Sequence, residues 1–128
     1  MTELKDLVPD ALLRLDTDGR IVEANRAAVE LTGYPLDTLV GALLAELLDP
    51  QTKDGQPLLA DGLHRSARLR SVRAIPEQQA LMLAADGAEL TVFVTGAYQL
   101  DEGGRLTGAG LCVREAGRRA HQAPSGIE

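Results

Sequence analysis

Apolar and polar positions change their period along this chain, and each change marks an element. Ala11-Leu12-Leu13-Arg14-Leu15 is a short apolar run that meets Asp16-Thr17-Asp18-Gly19 and resumes as Arg20-Ile21-Val22-Glu23-Ala24. Asp-Gly between two half-apolar runs signals a hairpin, because glycine enters positive φ without a Cβ clash and aspartate bonds its own backbone. Asn25 then opens a helical stretch that stops at Gly33. The asparagine oxygen can accept an orphan amide of the first turn, and glycine suits the left-handed position after the last. Residues 35–41 and 43–48 read as two more short helices, closed by Asp49-Pro50, with 51–56 as polar turn material. A longer helix is expected over 57–70, with Leu58, Leu59, Gly62, Leu63 and Ala67 on its inner face.

The second half of the chain changes to period two. Residues 79–84, 89–99 and 105–114 read as strands, joined by Asp86-Gly87 and by Asp101-Glu102-Gly103-Gly104, as consecutive antiparallel hairpins require. In the middle run Leu90, Val92 and Val94 alternate with Thr91, Phe93 and Thr95. One face is therefore aliphatic, for the helices, and the other mixed. Before the first strand, Leu4, Leu7 and Val8 stand at helical spacing until Pro9-Asp10 breaks the pattern; so short an apolar stripe needs another surface, either the domain's own sheet or a second copy. From Gly117 the chain turns polar. The expected organisation is a cap helix over 1–9, one α/β domain over 10–116 and a tail or linker over 117–128.

Composition narrows the chemistry. A chain of 128 residues with 45% apolar content can bury one core. Phe93, Tyr34 and Tyr98 are its only aromatic residues, so Leu, Val and Ala must fill that core and little ring area remains to stack a flat cofactor or a nucleobase. A formal charge of −6 disfavours attraction to nucleic acid or anionic membrane. The lone Cys112 excludes a disulfide framework and points to a reducing compartment. The longest apolar run, 39–48 interrupted by Glu46, is about half a membrane span, and Met1-Thr2-Glu3-Leu4-Lys5-Asp6 has no secretory pattern. The expectation is a cytoplasmic protein with neither a nucleic-acid nor a membrane partner.

The ordered set of motifs resembles the PAS domain family. Asp18-Gly19-Arg20-Ile21-Val22-Glu23-Ala24-Asn25-Arg26-Ala27-Ala28 and Leu31-Thr32-Gly33-Tyr34 are similar to its opening strand pair and Asn-led helix. Ala84-Ala85-Asp86-Gly87-Ala88-Glu89-Leu90-Thr91-Val92-Phe93-Val94-Thr95 is similar to its third hairpin, and Gly104-Arg105-Leu106-Thr107-Gly108-Ala109-Gly110-Leu111-Cys112-Val113-Arg114-Glu115 to its last strand. The resemblance implies an α+β fold with a five-stranded antiparallel sheet in the order 2-1-5-4-3 and short helices packed on one face. It also implies a ligand pocket between the sheet and the long helix, which maps to Leu59, Leu63, Met82, Val92, Val94 and Leu111. A dimer interface would use Leu4, Leu7 and Val8 with Thr91, Phe93 and Thr95. Many members close the last strand with Asp-Ile-Thr, which passes signal into a following helix; here Glu115-Ala116-Gly117 stands instead, losing the hydroxyl and loosening the exit.

No residue pattern adds a reaction. His64 lies where haem-binding members place their proximal ligand, but its distance in sequence to Asp86-Gly87 is too long and its neighbours Arg65, Ser66 and Arg68 suggest a solvated setting. A haem-binding gas or redox sensor through His64 is thus the secondary alternative. The photoadduct branch carries its cysteine in an Asn-Cys-Arg motif on an early helix, whereas Cys112 sits on the last strand and reads as a small hydrophobe. One Cys and two His at no ligand spacing make no metal site. Arg65, Arg68, Arg70 and Arg73 do not share one helical face and read as a solvated side. Asp16, Asp18 and Glu23 belong to a turn and a strand edge rather than to an acid/base pair. The sequence therefore predicts a non-enzymatic sensory or regulatory module, with no cofactor. It would bind a small apolar ligand or form a homodimer, and signal to an output domain in cis or a partner in trans. The alternative is a ligand-free dimerisation or protein-interaction module.

Overall fold

The computed structural model describes residues 9–56, 58 and 74–119. Strands β1 (Ala11–Leu15) and β2 (Ile21–Ala24) pair antiparallel. Their turn is built as the sequence requires: the Asp16 carboxylate accepts from the amides of Asp18 and Arg20 at 2.9 and 3.0 Å, and Gly19 takes φ 86°. Helix α1 (Arg26–Thr32) starts on Asn25, whose side chain accepts from the Ala28 amide, and ends on Gly33 at φ 80°. Short helices α2 (Leu36–Leu39) and α3 (Leu44–Leu47) follow. The chain continues through β3 (Gln51–Thr52), β4 (Ala74–Leu83), β5 (Glu89–Leu100) and β6 (Leu106–Arg119).

All strands join one antiparallel sheet in the order β2-β1-β6-β5-β4-β3. Without β3 this is the order the resemblance implies. The sixth strand corrects the expectation of turn material at 51–56: Gln51 and Thr52 pair with Leu81 and Ala80, because backbone groups next to an open edge form a ladder whatever their side chains. Two strand lengths also differ from expectation. β4 begins at Ala74, and β6 runs on past Arg114 to Arg119, pairing with β5 back to Glu89. A polar run can extend a strand where a long neighbour supplies its hydrogen bonds.

The core lies on one side of this sheet. Leu13 and Leu15 of β1, Leu90, Val92 and Val94 of β5, and Ala109, Leu111 and Val113 of β6 are buried there with Ala28, Leu39, Leu44 and Leu48 of the helical segment. Hence the short helices cover one face, as the alternation along β5 predicts. The cap-helix stripe Leu4, Leu7 and Val8 lies outside the described residues. So do Leu59, Leu63 and His64 of the expected long helix, and the arginines at 65, 68, 70 and 73.

Candidate functional site

The sheet presents two chemically distinct faces. Met82, Val92, Val94 and Leu111 come together on the inner one, each at most 3% exposed. The register gathers them: Val94 pairs with Val113, Val92 with Ala80 and Met82 with Leu90, and directly paired residues in antiparallel strands share a face. Gly96 pairs with Leu111, and a Cβ placed on Gly96 would lie 3.1 Å from Leu111 Cδ2. The leucine therefore leans across the space that the missing side chain leaves. This is the sheet's half of the expected pocket; the helical half, Leu59 and Leu63, lies outside the described residues.

On the outer face Thr91, Phe93 and Thr95 are half-buried. Thr95 donates its hydroxyl to the Ile75 carbonyl at 3.1 Å, while the Arg114 guanidinium stands 5.2 Å above the Phe93 ring and 3.6 Å from a Glu77 carboxylate oxygen. Beside them Leu81 and Leu83 are 41% and 43% exposed. Sequence reasoning missed these two leucines because Ala80-Leu81-Met82-Leu83-Ala84 is apolar at both parities, so alternation carried no signal. Arg114 was equally hidden, since its ring partner depends on the β5–β6 register.

Asn25 and Cys112 define the entrance of the chain into the sheet. Asn25, 1% exposed, accepts from the amides of Leu12 and Ala28 at 2.9 and 3.0 Å and donates its amide to the Asp10 carbonyl at 3.0 Å. One side chain thereby holds the start of α1, strand β1 and the residue leading into it. Cys112 lies between inward-facing Leu111 and Val113, so its thiol is on the outer face, where Sγ is 3.7 Å from Asp10 Oδ2. Burial pushes this thiol above its ordinary pKa; the Asp10 carboxylate adds to the rise by charge and by accepting the bond, and Arg114 opposes it. A raised pKa keeps the sulfur a thiol, consistent with the small-hydrophobe reading of Cys112.

Two shallow clefts flank this entrance. One, of about 220 Å³, opens over Gly110 beside Leu12, Ala24 and the Arg14–Glu23 ion pair of 2.9 Å. The other, of about 240 Å³, lies where β1 begins, between Asp10, Glu30, Arg114 and Glu115. Among the described residues no group of three or more His, Cys, Asp or Glu could hold a metal, and none of the described helices is long and apolar enough to cross a membrane. Asp16 is committed to its turn and Glu23 to Arg14, as expected of turn and strand-edge residues.

A family profile described as the PAS fold matches residues 6–121. Among curated proteins, the sensor protein kinase FleS of Pseudomonas aeruginosa is 34% identical over 84 residues; the match takes in 64% of this chain and 21% of that protein. The chain thus corresponds to about a fifth of that relative's length. Among solved structures, the PAS domain of a protein from Colwellia psychrerythraea superposes with a TM-score of 0.68 at 22% identity, over 87% of this chain and 89% of that one. The PAS domain of nitrogen regulation protein NR(II) from Vibrio parahaemolyticus does so with 0.67 at 23% identity, over 89% and 99%.

Proposed function

The chain belongs to the PAS family, and from that premise we propose that it is a non-catalytic sensory module of a larger signalling protein, taking a small apolar ligand on the inner face of its sheet. The observation that carries this reading is the gathering of Met82, Val92, Val94 and Leu111 into one aliphatic surface. An apolar surface with few polar atoms selects an apolar molecule, because an unmatched buried polar group costs about 1–3 kcal/mol. The similarity to a sensor kinase supports an output domain in cis or a signalling partner in trans. The test is Val94→Phe. In an unfilled pocket the ring is accommodated, and the melting temperature holds or rises. A loss of about 1–3 kcal/mol, the usual cost of overpacking, marks a filled core and moves the input elsewhere.

A second reading is favoured by the exposure of Leu81 and Leu83 beside half-buried Phe93. On it the outer face, with Thr91 and Thr95 and the apolar stripe of Leu4, Leu7 and Val8, forms a homodimer. Light scattering on the chain lacking residues 1–8 decides the role of the stripe. A dimer that becomes a monomer supports it; an unchanged mass removes those residues from the interface.

A further inference from the structure

The β4–β5 pairing contains one irregularity, and it exchanges the two polar side chains beside it. Ile75 pairs with Gly96 and Gln78 with Val94, so three steps along β4 match two along β5 and one residue is extra. Such a bulge reverses the alternation of every side chain beyond it. Ile75 is buried on one side of the bulge, and Ala80 and Met82 on the other, although odd and even positions of a regular strand face opposite ways. Glu77, which would share the inner side with Ile75 in a regular strand, instead meets Arg114, the outer-face partner of Phe93, at 3.6 Å. Gln78 takes the inner position, opposite Val94, which is 1% exposed. The charge is turned out and a neutral carboxamide is turned in.

We infer that Gln78 is the polar recognition group of the inner-face site, its carboxamide reading one carbonyl or hydroxyl oxygen of a small, otherwise apolar molecule. This rests on the ligand reading given above. Gln78 is half-buried, and no hydrogen bond to its amide is formed among the described residues. It stands at the rim: β3 pairs with β4 only at Ala80 and Leu81, so the amide lies where the aliphatic face meets the sheet's edge. A ligand with its apolar body on Val92, Val94 and Met82 would present its polar end there, and apolar sites take their orientation from a few such groups. Edge protection accounts for Pro76, which has no N–H to offer a foreign strand. It does not call for an inward amide, because a leucine at 78 would leave the edge as it is and bury more apolar area.

The experiment uses methyl NMR on the full chain with two probes of similar bulk, 2-heptanone, which carries one acceptor oxygen, and toluene, which carries none. Both are expected to shift the methyl signals of Met82, Val92, Val94 and Leu111, and 2-heptanone alone to shift the Gln78 side-chain amide. Gln78→Leu should weaken 2-heptanone by about two- to twelvefold, the range for one neutral hydrogen bond, and leave toluene binding unchanged or tighter, since the leucine adds apolar contact. Gln78→Glu, which removes the donor while staying polar, should show the same loss for 2-heptanone and covers the case in which the leucine variant does not fold. Unchanged 2-heptanone affinity in a folded variant, with the methyl shifts retained, overturns the role of Gln78 and leaves the ligand site standing. If neither probe moves those methyls, the ligand site and this inference fall together.

Discussion

Replacing Asn25 tests whether one side chain holds the entrance of the domain. Its oxygen accepts from the amides of Leu12 and Ala28 and its nitrogen donates to the Asp10 carbonyl, at 2.9, 3.0 and 3.0 Å. Asn25→Ala removes the helix cap, a loss of about 0.5–2 kcal/mol. It also strands the Leu12 amide and the Asp10 carbonyl, each at about 1 kcal/mol toward the low end for unsatisfied groups, because both bonds are only partly buried. The sum is about 3 kcal/mol, a large share of the roughly 5–15 kcal/mol that stabilises a domain. It corresponds to a fall in melting temperature of about 10 °C.

Asn25→Asp separates the parts. A carboxylate keeps both acceptances and favours the positive end of α1 by about 0.3–1 kcal/mol, but it cannot donate to Asp10. At a position 1% exposed, burying the carboxylate offsets the gain at the helix end, so the expected net loss is the stranded Asp10 carbonyl, about 1 kcal/mol. Urea unfolding of both variants, with the slope of the transition unchanged, gives the two values. A loss below about 0.5 kcal/mol for Asn25→Ala, well under the sum of its cap and stranded groups, would refute the reasoning. So would equal losses in the two variants, since the cap and the amide of Leu12 would then contribute nothing.

Two further expectations come from the last strand and its neighbour. A Cβ at Gly96 would run into the Gly110 carbonyl, whereas one at Gly110 meets nothing; thermal melts should therefore show Gly96→Ala destabilised by about 1–3 kcal/mol and Gly110→Ala neutral or stabilised by up to about 1 kcal/mol. Equal effects would mean that the strands separate freely there. Because burial and Asp10 raise the Cys112 pKa, its alkylation rate should reach half-maximum above the roughly pH 8.5 of a free thiol, and Asp10→Asn should lower that midpoint without abolishing the rise. The unfolded thiol ionises first, so the same shift removes stability as pH climbs past the unfolded value; a stability that grows through that range contradicts it.

Much of the fold was legible because its signals are local. Asp16-Thr17-Asp18-Gly19, the Asn25 cap and Gly33 act within a few residues, and each behaves in the structure as its chemistry demands. The inner face was legible for the same reason: Leu90, Val92 and Val94 alternate strictly, and burial follows the alternation. What could not be read is whatever depends on a second strand. Gln51 and Thr52 become β3 only because β4 offers them a ladder. β6 outruns its apolar pattern because β5 is long enough to pair with it.

The outer face fails for a related reason, and its failure explains why the candidate site was only half visible. Which of Glu77 and Gln78 points inward is settled by one extra residue between Ile75 and Gln78, and nothing in Ile75-Pro76-Glu77-Gln78 locates that residue until Gly96 and Val94 are laid beside it. A second irregularity acts alike at the exit, where Thr91 pairs with Gly117 and Val92 with Glu115, leaving Ala116 as the extra residue. Glu115-Ala116-Gly117 read from sequence as a weakened closing motif, yet it lies within a paired strand whose twist a bulge increases. Glu115, by pairing with inward Val92, is directed toward the end of the sheet where Asp10 and Glu30 line the same cleft. Register thus converts a change of motif into a change of direction: Glu115 faces the cleft beside Asp10, the residue that Asn25 and Cys112 hold at the entrance of β1, and β6 runs on past it to Arg119.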